Sequence, residues 1–337
     1  MISTLGMKDG EMGKETAIES VVVTGATGFV GRYVVRELLA RGYKPICVVR
    51  SPGKLYAQHP DVSSDRITAV AGSLSHRKAL QHAADLSQAV IHLVGIIIER
   101  RLKGQTFRGV HVAGTKGVVN AAATAGIKRF VHMSALGARS DAVSKYHRTK
   151  WQGECLVRDS GLDWTIFRPS LIHGPDGEFM RLMKAFACDL LPPIMPYFGT
   201  GEAKVQPVFV KDVARCVVDA LHRDETVGKT VPLGGPRAYS WIGLYNACRT
   251  RIPGARHWKP LVALPVPVAE LAAVLSAPPM ALAELLVPSL GKFRFDRGQV
   301  RMSQEDSVCD HTTAEALFDI QLRDFETELS DYADRLR

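Results

Sequence analysis

The sequence predicts an α/β protein, a doubly wound parallel sheet with a smaller, mostly helical C-terminal lobe. Three observations carry that expectation. From Val21 onward, short runs rich in β-branched residues alternate with helical patterns, the rhythm of a sheet covered by helices on both faces. The first run, SVVVTG, leads directly into glycines at 25, 28 and 31 and a helical pattern that begins about Phe29. Past about residue 170 the rhythm loosens, which marks where the second lobe takes over.

In chain order, SVVVTG is followed by the helix FVGRYVVRELLARG and the strands PICVVR, RITAVAG and AVIHLVGI. A long helix ending at Ala125, the strand RFVHMSA, a helix carrying Tyr146 and the strand WTIFRPSLI complete the series. Residues 19–175 then form the sheet domain, with segments returning to it from about 204–236. Residues 176–337 are mostly lobe. They hold a glycine- and proline-rich stretch near Leu191 to Gly201, a strand and helix at VQPVFVKDVARCVVDAL, a strand near TVPLGG and a final charged helix from about Thr312. Residues 1–18 mix charges with glycines and lack an apolar core, so they read as a mobile tail rather than a signal peptide or an anchor.

A chain of 337 residues with 46% hydrophobic and 23% charged residues is long enough for one large domain with an appended lobe. Its six cysteines (Cys47, Cys155, Cys188, Cys216, Cys248, Cys309) stand singly, which argues against a zinc site or a disulfide framework and for a reducing, cytoplasmic setting. The net charge of +9 is spread over small groups such as Arg100-Arg101 and Lys128-Arg129. Without a basic tract or an aromatic platform, nucleic acid is not an expected partner, and an anionic ligand accounts for the charge.

Residues 261–290 are apolar over about the length of a membrane span, but five prolines and Glu270 and Glu284 interrupt them. Two short helices separated by Pro278-Pro279 fit better than a transmembrane helix. They cover a pocket, or they touch a membrane, a respiratory assembly or a lipid substrate, which would make the protein membrane-peripheral.

The glycines of TGATGFVG have a physical purpose where a strand turns into a helix. The turn must be tight, a phosphate must reach bare backbone, and the helix must pack close to the strand. The helix N-terminus then offers free N–H groups to the negative charge. This arrangement predicts a dinucleotide site. The second strand ends in Arg50, where an acidic residue would accept from a ribose hydroxyl and an arginine would pair with a 2′-phosphate. NADP(H) is therefore favoured over NAD(H). Tyr146 and Lys150, four residues apart in SKYHRTKWQGE, would project from one face of a helix.

With TGATGFVG, the YHRTK of Tyr146 to Lys150, the strand end FVHMSALGA and the later RPSLIHGP and VQPVFVKDVA, the chain from about Ser20 onward resembles the short-chain dehydrogenase/reductase superfamily, whose sheet is of Rossmann type. The motifs are most similar to its extended and atypical, epimerase/dehydratase-like branch, notably the NADPH-binding accessory subunit of respiratory complex I and its bacterial relatives. The resemblance implies that Tyr146 exchanges a proton with the substrate oxygen while hydride moves between nicotinamide and the adjacent carbon. A phenol near its usual ~10 is a poor base, and a neighbouring ammonium would lower it. Lys150 is the implied activator, and it also holds the nicotinamide ribose.

Ser134 is the implied hydroxyl past the fifth strand. If the alignment shifts by one, Ala135 takes that place and Ser134 becomes a cofactor contact or a strand-end cap. The same resemblance lays the cofactor along Gly25, Thr27, Gly28, Phe29, Val30 and Gly31, then Arg50, Ser73 and Leu74, then Leu93, Val94 and Gly95. It adds Met133 as a cofactor contact, and Pro169 and Ser170 match the family segment that closes over the nicotinamide. His111 reads as a packed or exposed residue, and His173 as a lining of the substrate pocket. Two functions follow: an NADP(H)-dependent oxidoreductase or epimerase acting on a carbonyl or lipophilic, quinone- or isoprenoid-like small molecule, or a non-catalytic NADPH-holding protein of a respiratory or membrane-associated assembly.

Overall fold

The computed structural model describes residues 17–275 and 295–336. Its central sheet contains β1 (Ser20–Thr24), β2 (Lys44–Val49), β3 (Thr68–Ala71), β4 (Ala89–His92), β5 (Arg129–Met133) and β6 (Asp163–Pro169), with Lys229–Leu233 as the seventh strand. The order is β3-β2-β1-β4-β5-β6 followed by Lys229–Leu233, and every pairing is parallel. Alternate residues feed two cores, as the two faces of a strand require. Val21, Val23, Val131 and Met133 pack with α1 (Phe29–Ala40) and the helix Val210–Asp219 on one face. Val22, Val90 and Phe130 pack with Leu80, Val118, Ala122 and Val157 on the other. The order reverses between β1 and β4, which opens a crevice at the carboxyl ends of those strands.

The predicted alternation of strands and helices is present, with differences in detail. The long helix before Ala125 opens as a π-helical turn over Arg108–Gly114 and becomes α-helical at Thr115–Thr124. The expected last helix is two, Thr312–Phe318 and Phe325–Tyr332, broken where Asp319 takes a left-handed φ of 49°. The segment from 261 begins with a strand, Leu261–Leu264, paired to Met195–Phe198, and only then turns helical over 266–275. Its Pro278-Pro279 break and second helix, like the tail over residues 1–16, lie outside the described residues.

In the lobe the helices Glu178–Cys188, Trp241–Arg251 and Phe325–Tyr332 pack together. Asp212, 2% exposed on the helix Val210–Asp219, accepts hydrogen bonds from the backbone N–H of Arg323 at 3.0 Å and from its guanidinium at 2.6 and 2.8 Å. That guanidinium also covers the Phe209 ring at 4.5 Å. His173, expected at the pocket wall, is instead fully buried with Nδ1 at 3.0 Å from the Tyr332 hydroxyl. The strand pair Ile172–His173 with Val208–Phe209 holds it inside the lobe. Arg323→Ala strips the buried Asp212 carboxylate of its cation and should cost about 2 to 3 kcal/mol. Amide exchange in Phe325–Tyr332 should accelerate while β1 and β4 keep their protection, and uniform acceleration would contradict this anchoring role.

Candidate functional site

The crevice between β1 and β4 is shaped by missing side chains. A Cβ on Gly25, whose φ is +81°, would lie 3.2 Å from the Val94 nitrogen, so β1 turns hard against the Leu93–Val94 backbone. A Cβ on Gly31 would lie 2.0 Å from the Gly25 carbonyl oxygen, a distance no real side chain tolerates. α1 therefore starts directly at the crevice. Gly28 caps it without a side chain, which leaves the first N–H groups facing outward beside the partly buried Thr27, Phe29 and Val30. This bare cradle at a helix N-terminus fits a pyrophosphate.

Arg50 stands exposed at the end of β2. Ser73 Oγ lies 2.9 Å from Ser75 Oγ at the end of β3. Leu74 packs under Gly114, where an added Cβ would meet Leu74 Cδ1 at 2.5 Å. These residues, predicted for the adenosine end, lie at the carboxyl ends of β2 and β3 on one side of the switch point.

Tyr146 and Lys150 come from the helix Lys145–Arg158, capped by Ser144, which accepts from the His147 N–H at 3.1 Å. Lys150 is 3% exposed, and its Nζ donates to the Met133 carbonyl at 2.9 Å. Gly95 makes room for it, since a Cβ there would be 2.9 Å from Nζ. Burial pushes the Lys150 ammonium down to about 8, against the opposing pull of Glu154. Tyr146 is half-buried against the edges of Phe107 at 6.0 Å and His111 at 5.5 Å. Burial pushes its phenol up to about 12. The lowered phenol expected from Lys150 is thus not what the geometry gives, since the ammonium is turned to the Met133 carbonyl.

Several residues that sequence reasoning passed over hold this pair in place. The Ile96 N–H donates to His111 Nε2 at 3.1 Å, so the proton belongs on Nδ1, 2.9 Å from Thr149 Oγ1. Thr149 in turn donates to the Lys145 carbonyl at 2.9 Å. His111, packed as expected, thereby links the segment after β4 to the helix of Tyr146. Below it, His92 Nε2 lies 3.1 Å and Nδ1 2.6 Å from the hydroxyls of Thr115 and Thr24. His132 stacks on His92 at 5.3 Å. Glu154, with no exposed surface, accepts from Arg168 at 2.8 and 2.7 Å and from Arg158 at 2.6 Å, which ties the helix to β6. The signals were present: a histidine inside the apolar strand AVIH, and an acid one turn beyond Lys150 with an arginine on the neighbouring strand.

The remaining predicted positions divide. The Ser134 N–H donates to the Phe167 carbonyl at 2.7 Å, while its buried Oγ has no hydrogen-bond partner among the described residues. Ala135 behind it is buried as well. Pro169 accepts from the Leu136 N–H at 3.0 Å beside them. Ser170 faces the lobe, donating to the Ser307 carbonyl at 2.7 Å and accepting from the Gln206 N–H at 3.2 Å, so its hydroxyl is already committed.

A Rossmann-type sheet with a bare phosphate cradle at its switch point defines a dinucleotide-binding protein. The NAD(P)H-binding family matches over residues 25–224, and the chain belongs to it. Among relatives, ceramide reductase of Caulobacter vibrioides is 34% identical over 251 residues, covering 73% of this chain and 74% of that protein. Subunit 9 of the mouse mitochondrial NADH dehydrogenase [ubiquinone] 1 alpha subcomplex is 34% identical over 240 residues, 67% of this chain and 60% of the subunit. The chain thus spans three-fifths of that subunit. Photosystem II assembly factor Ycf39 of Guillardia theta is 28% identical over 70% of this chain and 71% of the factor. Of solved structures, MoeE5 in complex with UDP-glucose and NAD has a TM-score of 0.68 at 18% identity, covering 94% of this chain and 98% of that one, a likeness of fold. The resemblance drawn from the motifs agrees with these matches.

Burial holds His92 and His173 down to about 3 and His111 to about 2, and it lowers His132 well below its ordinary value. Neighbouring cations push the same way, with Lys150 acting on the three sheet-side rings, His92, His111 and His132, and Arg323 on His173. Above pH ~6.5 the imidazoles are neutral in both folded and unfolded chains; below it only the unfolded chain takes up protons, so stability falls as pH falls. Between pH 7 and 5.5 these four rings should cost about 5 kcal/mol, read as a drop in urea midpoint. A midpoint unchanged over that range would contradict their burial in neutral form.

Proposed function

We propose that the protein is an NADP(H)-dependent reductase of a lipophilic carbonyl compound, with Tyr146 as its proton donor. The observation that carries this reading is the Tyr146 phenol, pushed up to about 12 at the mouth of the dinucleotide crevice, with Lys150 one turn away on the same helix. A phenol so placed is protonated at neutral pH, which suits an acid better than a base. It donates its proton to the substrate oxygen as that oxygen gains negative charge, and the Lys150 ammonium, on turning from the Met133 carbonyl toward Tyr146, stabilises the phenolate left behind. The dinucleotide, when bound, supplies hydride. Ser134 Oγ, which has no partner of its own among the described residues, is a second donor for the substrate oxygen or the cofactor. The aromatic surroundings of Tyr146 and the ceramide reductase relative support an apolar substrate. Arg50 favours the 2′-phosphate of NADPH.

A second reading rests on Ala135, buried where a shifted alignment would need a hydroxyl, and on the complex I subunit and assembly factor among the relatives. Here the protein holds NADPH without turnover and docks on a respiratory or membrane-associated assembly through residues 261–290, a cytoplasmic, membrane-peripheral protein. Within that segment Val268, Leu271 and Leu275 are exposed on the helix over 266–275. No helix among the described residues is long and apolar enough to cross a membrane.

The readings separate on a panel of long-chain ketones, enones and quinones. Tyr146→Phe should keep NADPH affinity within about twofold while turnover falls at least ~100-fold. Reduction by the native protein should decline as pH rises through about 8, because the Lys150 ammonium is charged below that value and lost above it. Arg50→Ala should weaken NADPH at least ~10-fold and leave NADH unchanged. Tight NADPH binding with no turnover on any compound would favour the second reading, and equal loss for both cofactors would remove Arg50 from the 2′-phosphate.

A further inference from the structure

The stretch IIIERRLKGQTFRG, residues 96–109, follows β4 and bears on how substrate reaches Tyr146. It folds into a tight hairpin. Arg100 and Gln105 exchange backbone hydrogen bonds at 2.9 and 3.1 Å, and Gly104 closes the turn with a left-handed φ of 67°. Glu99 braces the base, its carboxylate accepting from the Phe107 N–H at 2.9 Å and pairing with Arg101 at 2.9 Å. At the foot, Phe107 is 6% exposed, stacked on His111 at 5.6 Å and edge-on to Tyr146. At the tip, Leu102 is 77% exposed, more than any other large apolar side chain among the described residues. A braced hairpin thus carries a leucine into solvent at one end and touches the candidate proton donor at the other.

The flanks of this hairpin have the charge that such a tip needs. Ile97 and Val143 are also exposed, at 44% and 42%. Residues 96–114 and 139–148 together carry seven lysines and arginines against two acids, so five of the nine net positive charges of the chain fall on these twenty-nine residues. Arg101, Arg108 and Lys145 are exposed. The aromatic rings of the region, Phe107 and Tyr146, turn inward and offer no stacking platform for bases. Exposed aliphatic side chains in segments that also expose cations match the boundary between anionic headgroups and acyl chains.

We propose that the 96–109 hairpin, with the segment before Tyr146, docks on an anionic lipid bilayer and sets the Tyr146 mouth against it. This rests on the reading of a lipophilic substrate, which would then enter from the bilayer rather than from water. The helix over 266–275 adjoins the segment before Tyr146 through the helix Arg297–Met302, whose Arg297 and Arg301 pair with Glu270 and on whose Gly298 an added Cβ would lie 3.7 Å from Ser144 Cβ; docking is assigned to the hairpin and not to the helix over 266–275.

The test is co-sedimentation of the full-length protein with vesicles of phosphatidylcholine, alone or mixed with phosphatidylglycerol. Expected is binding to the mixed vesicles that weakens with added salt and falls about tenfold in Leu102→Asp and in Arg101→Glu. Leu271→Asp, on the helix over 266–275, should leave it unchanged. NADPH affinity, measured on each variant, should match the native protein and so report intact folding. No binding to mixed vesicles, binding indifferent to Leu102→Asp, or binding lost with Leu271→Asp would each overturn the proposal. So would salt-sensitive capture by heparin or RNA that exceeds vesicle binding. Vesicle binding with the expected variant pattern but no ketone reduction would sustain the docking surface and reject the reductase.

Discussion

The contact on which the rest depends is the approach of Gly31 to the Gly25 carbonyl, closer than any Cβ permits. It brings the start of α1 down onto the end of β1, at the place where strand order reverses. Free N–H groups and the helix dipole then converge on one point in space. Side chains cannot substitute for this, because the cradle is made of backbone that their presence would push away. The parallel sheet supplies the stiffness: β1 is buried on both faces and flanked by β2 and β4 along its length. Dinucleotide binding is thus a property of how two elements meet.

The second constraint acts on the helix that carries Tyr146. Three separate ties fix it: Glu154 to Arg168 on β6, Lys150 to the Met133 carbonyl on β5, and Thr149 through His111 to Ile96 after β4. Each tie pairs a helix side chain with a different strand end, so the helix can neither slide nor roll without breaking one of them. The cost is a buried polar layer of His92, His111, His132 and Lys150 under the site. Burial keeps the three imidazoles neutral and lowers the ammonium. His132 is the exception, both its ring nitrogens being buried without a hydrogen-bond partner among the described residues, whereas the satisfied members of the layer give little net stability but specify one geometry. An acid catalyst needs that specificity, since proton transfer depends on sub-ångström placement.

The backbone-driven part of this architecture was legible in the sequence, and the part set by tertiary partners was not. SVVVTGATGFVG announces a strand, a phosphate turn and a helix because glycine spacing and β-branched runs are local signals. YHRTK places two side chains on one face by helical geometry alone. His173 looked like a pocket residue because the chain leaves the sheet there. Tyr332, distant in sequence, draws it into the lobe. Ser170 looked available until Ser307 and Gln206 claimed its hydroxyl. The single predicted C-terminal helix breaks at Asp319, where a left-handed residue other than glycine gives no pattern to read. The lowered phenol failed for a similar reason: spacing puts Lys150 beside Tyr146, but the Met133 carbonyl decides where its charge points.

The central claim is that hydride and the Tyr146 proton reach the same substrate carbonyl. The most direct measurement follows deuterium from NADPH labelled at the transferable nicotinamide position into a long-chain ketone. The account predicts one deuterium on the carbinol carbon of the product alcohol, lost in Tyr146→Phe although the variant still holds the cofactor. A native protein that retains the labelled NADPH and passes no deuterium to any carbonyl compound would contradict it.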